Sequence, residues 1–148
     1  MKIYVINGPN INMLGIREPS IYGNTGYNDL AEMIKNECNK RKIDTVIYQS
    51  NHEGDLVDKI QEAYFNGADG IVINPGAYTH TSIAILDAVK STSLPTVEVH
   101  ISDVNKREDF RRVSFIREAC ISTVSGHGTD GYIEAVEILL NHIKGKKQ

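Results

Sequence analysis

The stretch "GIVINPGAYTHTS", residues 70–82, decides how the rest of the chain is read. Its first part, "GIVINP" (70–75), is a short apolar run rich in β-branched residues, with glycine in front and Pro-Gly behind. Such a run reads as a strand. Its apolar residues are continuous rather than alternating, as in a strand covered on both faces by helices.

Working outward, the same signature recurs. "KIYVIN" (2–7), "IDTVIYQ" (43–49), "TVEVHIS" (96–102) and "CISTVSG" (120–126) are also short and bounded by Gly, Pro or Asn. Helical spacing fills the intervals. Leu30, Met33, Ile34 and Cys38 share one helical face, and Leu56, Ile60, Ala63 and Tyr64 share another, with Ser50 and Glu53 placed as a capping box. Ile85, Leu86 and Val89 mark a third helix; Ile133, Val136, Leu139, Leu140 and Ile143 mark the last. Five strands alternating with helices predict an α/β fold with right-handed crossovers, a flavodoxin-like three-layer sandwich whose five-stranded parallel sheet has the order 2-1-3-4-5. Residues 1–148 read as a single domain without repeats or an internal linker.

Composition narrows the function classes. At 41% hydrophobic and 24% charged, the chain has the balance of a soluble globular protein. The formal charge of −3 and dispersed lysines and arginines give no basic surface for nucleic acid or an anionic membrane. The terminal "KGKKQ" reads as a solvated tail. Cys38 and Cys120 lie in apolar patterns without metal-like spacing, and read as buried thiols in a reducing compartment. No secretory signal or membrane-length apolar run is seen, so a cytoplasmic location is expected.

In an open parallel sheet the ligand lies beyond the carboxyl ends of the strands. The chemistry is therefore expected after Asn7, Gln49, Asn74, His100 and Ser125, and the unusual polar residues fall there. Asn10 and Asn12 follow the first strand, and Tyr78 and His80 follow the third. "EVHIS" and "REDFRR" follow the fourth, and "SGHGTDGY" the fifth. Strand alternation puts Glu98 and His100 on one face, where a carboxylate can fix the imidazole's tautomer and favour its protonated form. A structural Glu–His pair at a sheet end is the plainer alternative. His80 could equally cap a helix, and His142, near the basic tail, needs only a solvated role. No metal-binding motif, P-loop, dinucleotide fingerprint or nucleophile elbow is present.

The segment between the first strand and the helix near Asn28 is too long for an ordinary connection of about 2–6 residues. It is a disordered insert, a misread element or an active-site loop. It carries Arg17 and Tyr22. For a phenol to act as a base near neutrality, its pKa must fall by about three, which requires roughly 4 kcal/mol of phenolate stabilisation. A guanidinium in a dehydrated pocket is suited to supply it, and a closing loop would provide the dehydration.

These residues resemble the type II 3-dehydroquinate dehydratases. The likeness runs from "INGPNINMLGIREPSIYG" through "QSNHEGDLVDKIQEA", "INPGAYTHTSIAILDA" and "VEVHISDVNKREDFRR" to "GHGTDGY". The resemblance implies anti elimination of water from 3-dehydroquinate through an enolate, without metal or organic cofactor, in a dodecamer built from trimers. It implies Tyr22 as the base, with Arg17 lowering its pKa and steadying the developing charge. It further implies His100 as the acid for the departing hydroxyl, Glu98 as its orienting partner, and Asn10 as holder of the water on the enolate oxygen. Asn74, His80, Ile101, Ser102 and Arg111 are implied substrate contacts, and Asp87 is expected to reach a neighbouring subunit's site. The first part of "NGPNINMLGIREPSIYGNTGY" would then be a fixed floor under the enolate, and its second part a glycine-hinged lid that delivers Arg17 and Tyr22.

Some positions depart from that pattern. Asp103 and Asn105–Lys106 stand where Asn and His–Ala are expected, His127 where an apolar residue is usual, and "NTGYNDL" replaces a threonine-led helix start. A flavodoxin-like module that binds a small anion without chemistry is the competing reading. A response-regulator-like domain would need carboxylates after the first strand, where this chain has "NGPN". A lyase acting on a different hydroxy-ketone acid is a further alternative.

Overall fold

Asn7, Gln49, Asn74, His100 and Ser125 are each the last residue of a strand. The computed structural model describes residues 1–16, 20 and 25–148. The strands are β1 (Lys2–Asn7), β2 (Asp44–Gln49), β3 (Gly70–Asn74), β4 (Thr96–His100) and β5 (Ser122–Ser125). They form one parallel sheet in the order β2-β1-β3-β4-β5, the flavodoxin-like arrangement expected. The register pairs Asn7 with both Gln49 and Asn74, and His100 with Ser125, so these polar residues share one edge.

The helices are α1 (Tyr27–Lys40), α2 (Glu53–Phe65), α3 (Ile83–Thr92) and α4 (Asp130–Lys146). Alternation along the strands builds a core on each face. Ile3, Val5, Val72 and Val97 pack with Leu30 and Ile34 of α1 and with Val136 and Leu139 of α4. Tyr4, Ile6, Ile71 and Ile73 pack with Leu56 and Ile60 of α2 and with Ile85 and Val89 of α3. β3 and β4 are buried along their full lengths, as the unbroken apolar run of β3 requires. Each fully buried aliphatic side chain contributes roughly 1.5–3 kcal/mol to holding these layers together.

Local chemistry sets the helix starts, and in one place it differs from the expectation. Ser82 caps α3 by accepting from the Ile85 N–H at 3.0 Å. Asp29 in the first turn of α1 accepts from the Gly26 N–H at 3.1 Å. The capping box of Ser50 and Glu53 does not form: His52 occupies the N-cap, and the Ser50 hydroxyl accepts from the His52 N–H while donating to Asp55 at 2.7 Å. The Ser50 N–H that Glu53 would have to take donates instead to the Asn7 carbonyl at 3.0 Å, and the hydroxyl is used in a charge-assisted bond to Asp55.

Other details also differ. Tyr64 is exposed rather than packed with Ala63, next to the exposed Phe65. The crossover from β4 to β5 carries 3₁₀ turns at Val104–Lys106, Asp109–Arg112 and Ile116–Ala119 instead of an α-helix. Cys38 is fully buried, whereas Cys120 is only partly so. His142 is not simply solvated, because its Nε2 is buried without a hydrogen-bond partner. Among the described residues, no helix is long and apolar enough to cross a membrane.

Candidate active site

Two loops lock together to form the floor of a cavity at the carboxyl edge of the sheet. β1 runs into "NGPN" and β3 into "NPG". The Gly8 N–H donates to the Asn74 carbonyl at 2.7 Å, and a Cβ on Gly8 would stand 2.4 Å from the Pro75 carbonyl oxygen. Gly76 has φ +60, and a Cβ there would stand 2.9 Å from the Pro9 carbonyl oxygen. Only glycine permits both approaches. Asn10 follows with φ 68, a left-handed conformation that asparagine tolerates, and its N–H donates to the Asn51 side chain at 3.0 Å. A 3₁₀ turn at Ile11–Met13 continues the segment. Gly8 to Ile16 is therefore neither a disordered insert nor a misread element.

The cavity gathers most of the predicted residues. Asn10, Asn74, His80, His100, Ile101 and Ser102 line it, and Arg111 reaches it from the 3₁₀ turn after β4. Asp87 does not line it; the side chain is exposed on α3. Arg17, Tyr22 and the rest of 17–19 and 21–24, where the lid is expected, lie outside the described residues.

The expected pair of Glu98 and His100 is present. The His100 Nε2–H donates to Glu98 Oε1 at 2.6 Å, with both side chains almost fully buried. Burial works against the Glu98 charge, but His100, Ser114 and Arg117 together hold the carboxyl down at about 2. Glu98 is thus an anion at any working pH and fixes Nε2 as the donor nitrogen, leaving Nδ1 as the nitrogen not engaged by the carboxylate. His80 is held differently. Its Nδ1–H donates to the Val113 carbonyl at 2.6 Å, and burial pushes the imidazole down, so near neutrality it is uncharged with Nε2 as an acceptor.

Asn74 belongs to a buried network that the sequence did not reveal. The Tyr132 hydroxyl donates to Asn7 Oδ1 at 2.7 Å and accepts from Asn74 Nδ2 at 2.9 Å. Asn74 Oδ1 accepts from the Gly76 N–H at 3.1 Å. With its amide fixed at both ends, Asn74 keeps one N–H and one lone pair for a ligand. Burial pushes the Tyr132 phenol up, so this tyrosine stays neutral and serves as a bridge.

Arg111 is steadied by Glu108, to which its Nε donates at 2.7 Å. Arg107 also lines the cavity, with its side chain 15% exposed, and was not singled out from sequence. Asp103 caps the short turn at Val104–Lys106 by accepting from the Asn105 N–H at 3.0 Å, the local role an asparagine could also fill. His127 forms an exposed pair with Glu134 at 2.6 Å. None of Asp103, Asn105, Lys106 and His127 lines the cavity or contacts Glu98.

The arrangement offers a buried imidazole backed by a carboxylate, neutral polar groups on a rigid floor, and two guanidinium groups. Such a set can bind an anionic polyol and transfer a proton to an oxygen within it.

Comparison with known proteins agrees with this. The family described as "Dehydroquinase class II" matches residues 1–140. A 3-dehydroquinate dehydratase of Clostridium perfringens is 53% identical over 146 residues, which cover 99% of this chain and 100% of that one. The type II dehydroquinase of Butyrivibrio crossotus superposes with a TM-score of 0.94 at 57% identity, over 95% of this chain and 97% of that one. That of Propionibacterium acnes gives 0.88 at 36% identity, covering 94% and 96%.

Proposed function

The chain belongs to the class II dehydroquinase family, and on that premise we propose how its site carries out the reaction. It is a hydro-lyase of the shikimate pathway that dehydrates 3-dehydroquinate. Residues 1–148 act as one catalytic domain in the cytoplasm. Tyr22 removes the proton next to the ketone, with Arg17 stabilising the phenolate and the developing charge. Asn10 holds the water that stabilises the enolate oxygen, and His100 protonates the departing hydroxyl with Glu98 orienting its ring. No metal or organic cofactor takes part.

The observation that carries this reading is the Glu98–His100 contact of 2.6 Å at the wall of a cavity that also presents Asn10 and Arg111. Elimination next to a ketone needs an acid for the leaving group and a stabiliser for the oxyanion. A carboxylate held as an anion keeps a proton on the neighbouring imidazole until the leaving oxygen takes it. Arg111 binds the anionic end of the substrate beside the backbone of Ile101 and Ser102, while Asn74 and the neutral His80 meet its hydroxyls. Asp87, exposed on α3, serves a neighbouring subunit's site in a dodecamer built from trimers.

Following enone absorbance with 3-dehydroquinate, without added metal, tests the proposal. Wild-type protein gives product and Tyr22→Phe and His100→Gln lose roughly 100-fold or more in kcat while remaining folded. Full turnover in either variant would remove that residue from its assigned role.

A further inference from the structure

The pairing with His100 explains only part of what surrounds Glu98. Ser114 Oγ donates to Oε1 at 2.8 Å, and Thr123 Oγ1 donates to Oε2 at 3.1 Å. Arg117 approaches from the turn at Ile116–Ala119, donating through Nε to Oε2 at 3.2 Å and through Nη2 to Oε1 at 3.4 Å. Together with His100 these donors fill the roughly four lone-pair directions that a carboxylate offers. The two hydroxyls and the imidazole already fix the direction of the carboxylate. What Arg117 adds is a permanent positive charge.

That charge has a chemical consequence. A buried carboxylate facing an imidazole alone would hold the imidazolium firmly, and a proton held that firmly is slow to leave. A guanidinium on the same carboxylate draws off part of that attraction. The neighbouring groups do not duplicate the effect. Burial, followed by the charge of Glu98, pushes the Cys120 thiol up to about 12, so it is neutral. His80, across the cavity, is neutral because burial pushes it down. Arg107 and Arg111 line the cavity on the substrate side, with Glu108 beside both. Arg117 does not line the cavity and contacts the carboxylate from behind.

We propose that Arg117 is a positioning residue that acts through Glu98: its guanidinium shares the buried carboxylate with His100 and thereby sets how readily His100 releases the proton that the leaving hydroxyl takes. The proposal rests on the reading of His100 as the acid.

The test compares the pH dependence of kcat for wild type, Arg117→Gln, Arg117→Met and Arg117→Lys, with the His100 ring titration followed by NMR in the same proteins. Arg117→Gln keeps a hydrogen-bond donor without charge, Arg117→Met keeps only the stem, and Arg117→Lys keeps the charge. In both neutral variants the alkaline limb of kcat and the His100 titration move to higher pH by roughly one unit. The plateau of kcat falls severalfold with little change in KM, and Arg117→Lys restores most of both. A kcat lowered equally at every pH, with the His100 titration unmoved, overturns the proposal and leaves Arg117 as a packing residue. A His100 titration that moves while the kcat limb stays fixed sustains the action of Arg117 on the pair, and instead refutes His100 as the acid.

Discussion

Replacing Glu98 by glutamine removes one charge from a fully buried position and changes almost nothing in shape. Its folded carboxyl is held down at about 2 from an ordinary value of 4.5, against the effect of burial and through His100, Ser114 and Arg117. A difference of that size corresponds to about 3 kcal/mol of folding stability. The sign follows from proton uptake. Between the two values the unfolded chain binds the proton and the folded chain does not, so stability rises with pH across that interval and is fully present above it. From about pH 6 to about pH 3, roughly 2 of those 3 kcal/mol are lost. Glu98→Gln loses the contribution and with it this part of the pH dependence. The gap between wild type and variant should therefore be about 3 kcal/mol near neutrality and about 1 kcal/mol near pH 3. Urea unfolding at a series of pH values measures it, at one protein concentration so that any self-association affects every point alike. In thermal scans the neutral-pH gap corresponds to roughly 6–12 °C. A gap that stays constant from neutrality to pH 3 would refute the reasoning, because the donors around Glu98 would then not be stabilising its charge.

Two further substitutions address the floor of the cavity. Tyr132→Phe removes the hydroxyl that bridges Asn7 and Asn74, leaving buried polar atoms unpaired, and should cost about 2 kcal/mol or more in urea unfolding and raise KM through a loosened Asn74; an unchanged unfolding midpoint would show that the bridge contributes nothing. Gly8→Ala places a methyl 2.4 Å from the Pro75 carbonyl oxygen, a backbone atom that cannot swing aside, so a loss of roughly 1–3 kcal/mol and a displaced Asn10 are expected, seen as a lower Tm together with reduced kcat.

How much could be read in advance depends on the range over which each feature is determined. The strands and their ends were legible because β-branched runs are punctuated by Asn, Gly and Pro, and each boundary is a local event. The Glu98–His100 pair was legible for the same reason, since two residues on one strand necessarily share a face. Thr123 was within reach, because parallel register places it opposite Glu98. Ser114 and Arg117 were not, since they lie among 3₁₀ turns with no apolar period to say which way a side chain points. Tyr132 was missed because its helix was read from Ile133 onward, although the tyrosine is the fully buried residue of the two. Ser50 misled because the sequence offered two acidic partners, Glu53 and Asp55, and only geometry chose between them.

The same division runs through the chemistry. Isolated burial of the Glu98 charge would cost several kcal/mol, so a glutamate inside a strand is tolerable only if the tertiary fold brings donors to it. β4 supplies His100, β5 supplies Thr123, and the crossover between them supplies Ser114 and Arg117. An α-helix in that crossover would satisfy its own backbone and face the sheet with an apolar stripe. The 3₁₀ turns instead allow Ser114 and Arg117 to point at one carboxylate while Ile116 between them is buried against the sheet. The departure from regular alternation is therefore what makes the buried acid pair possible. A crossover rebuilt as a regular amphipathic helix would keep the sheet order and leave Glu98 without the guanidinium that balances it.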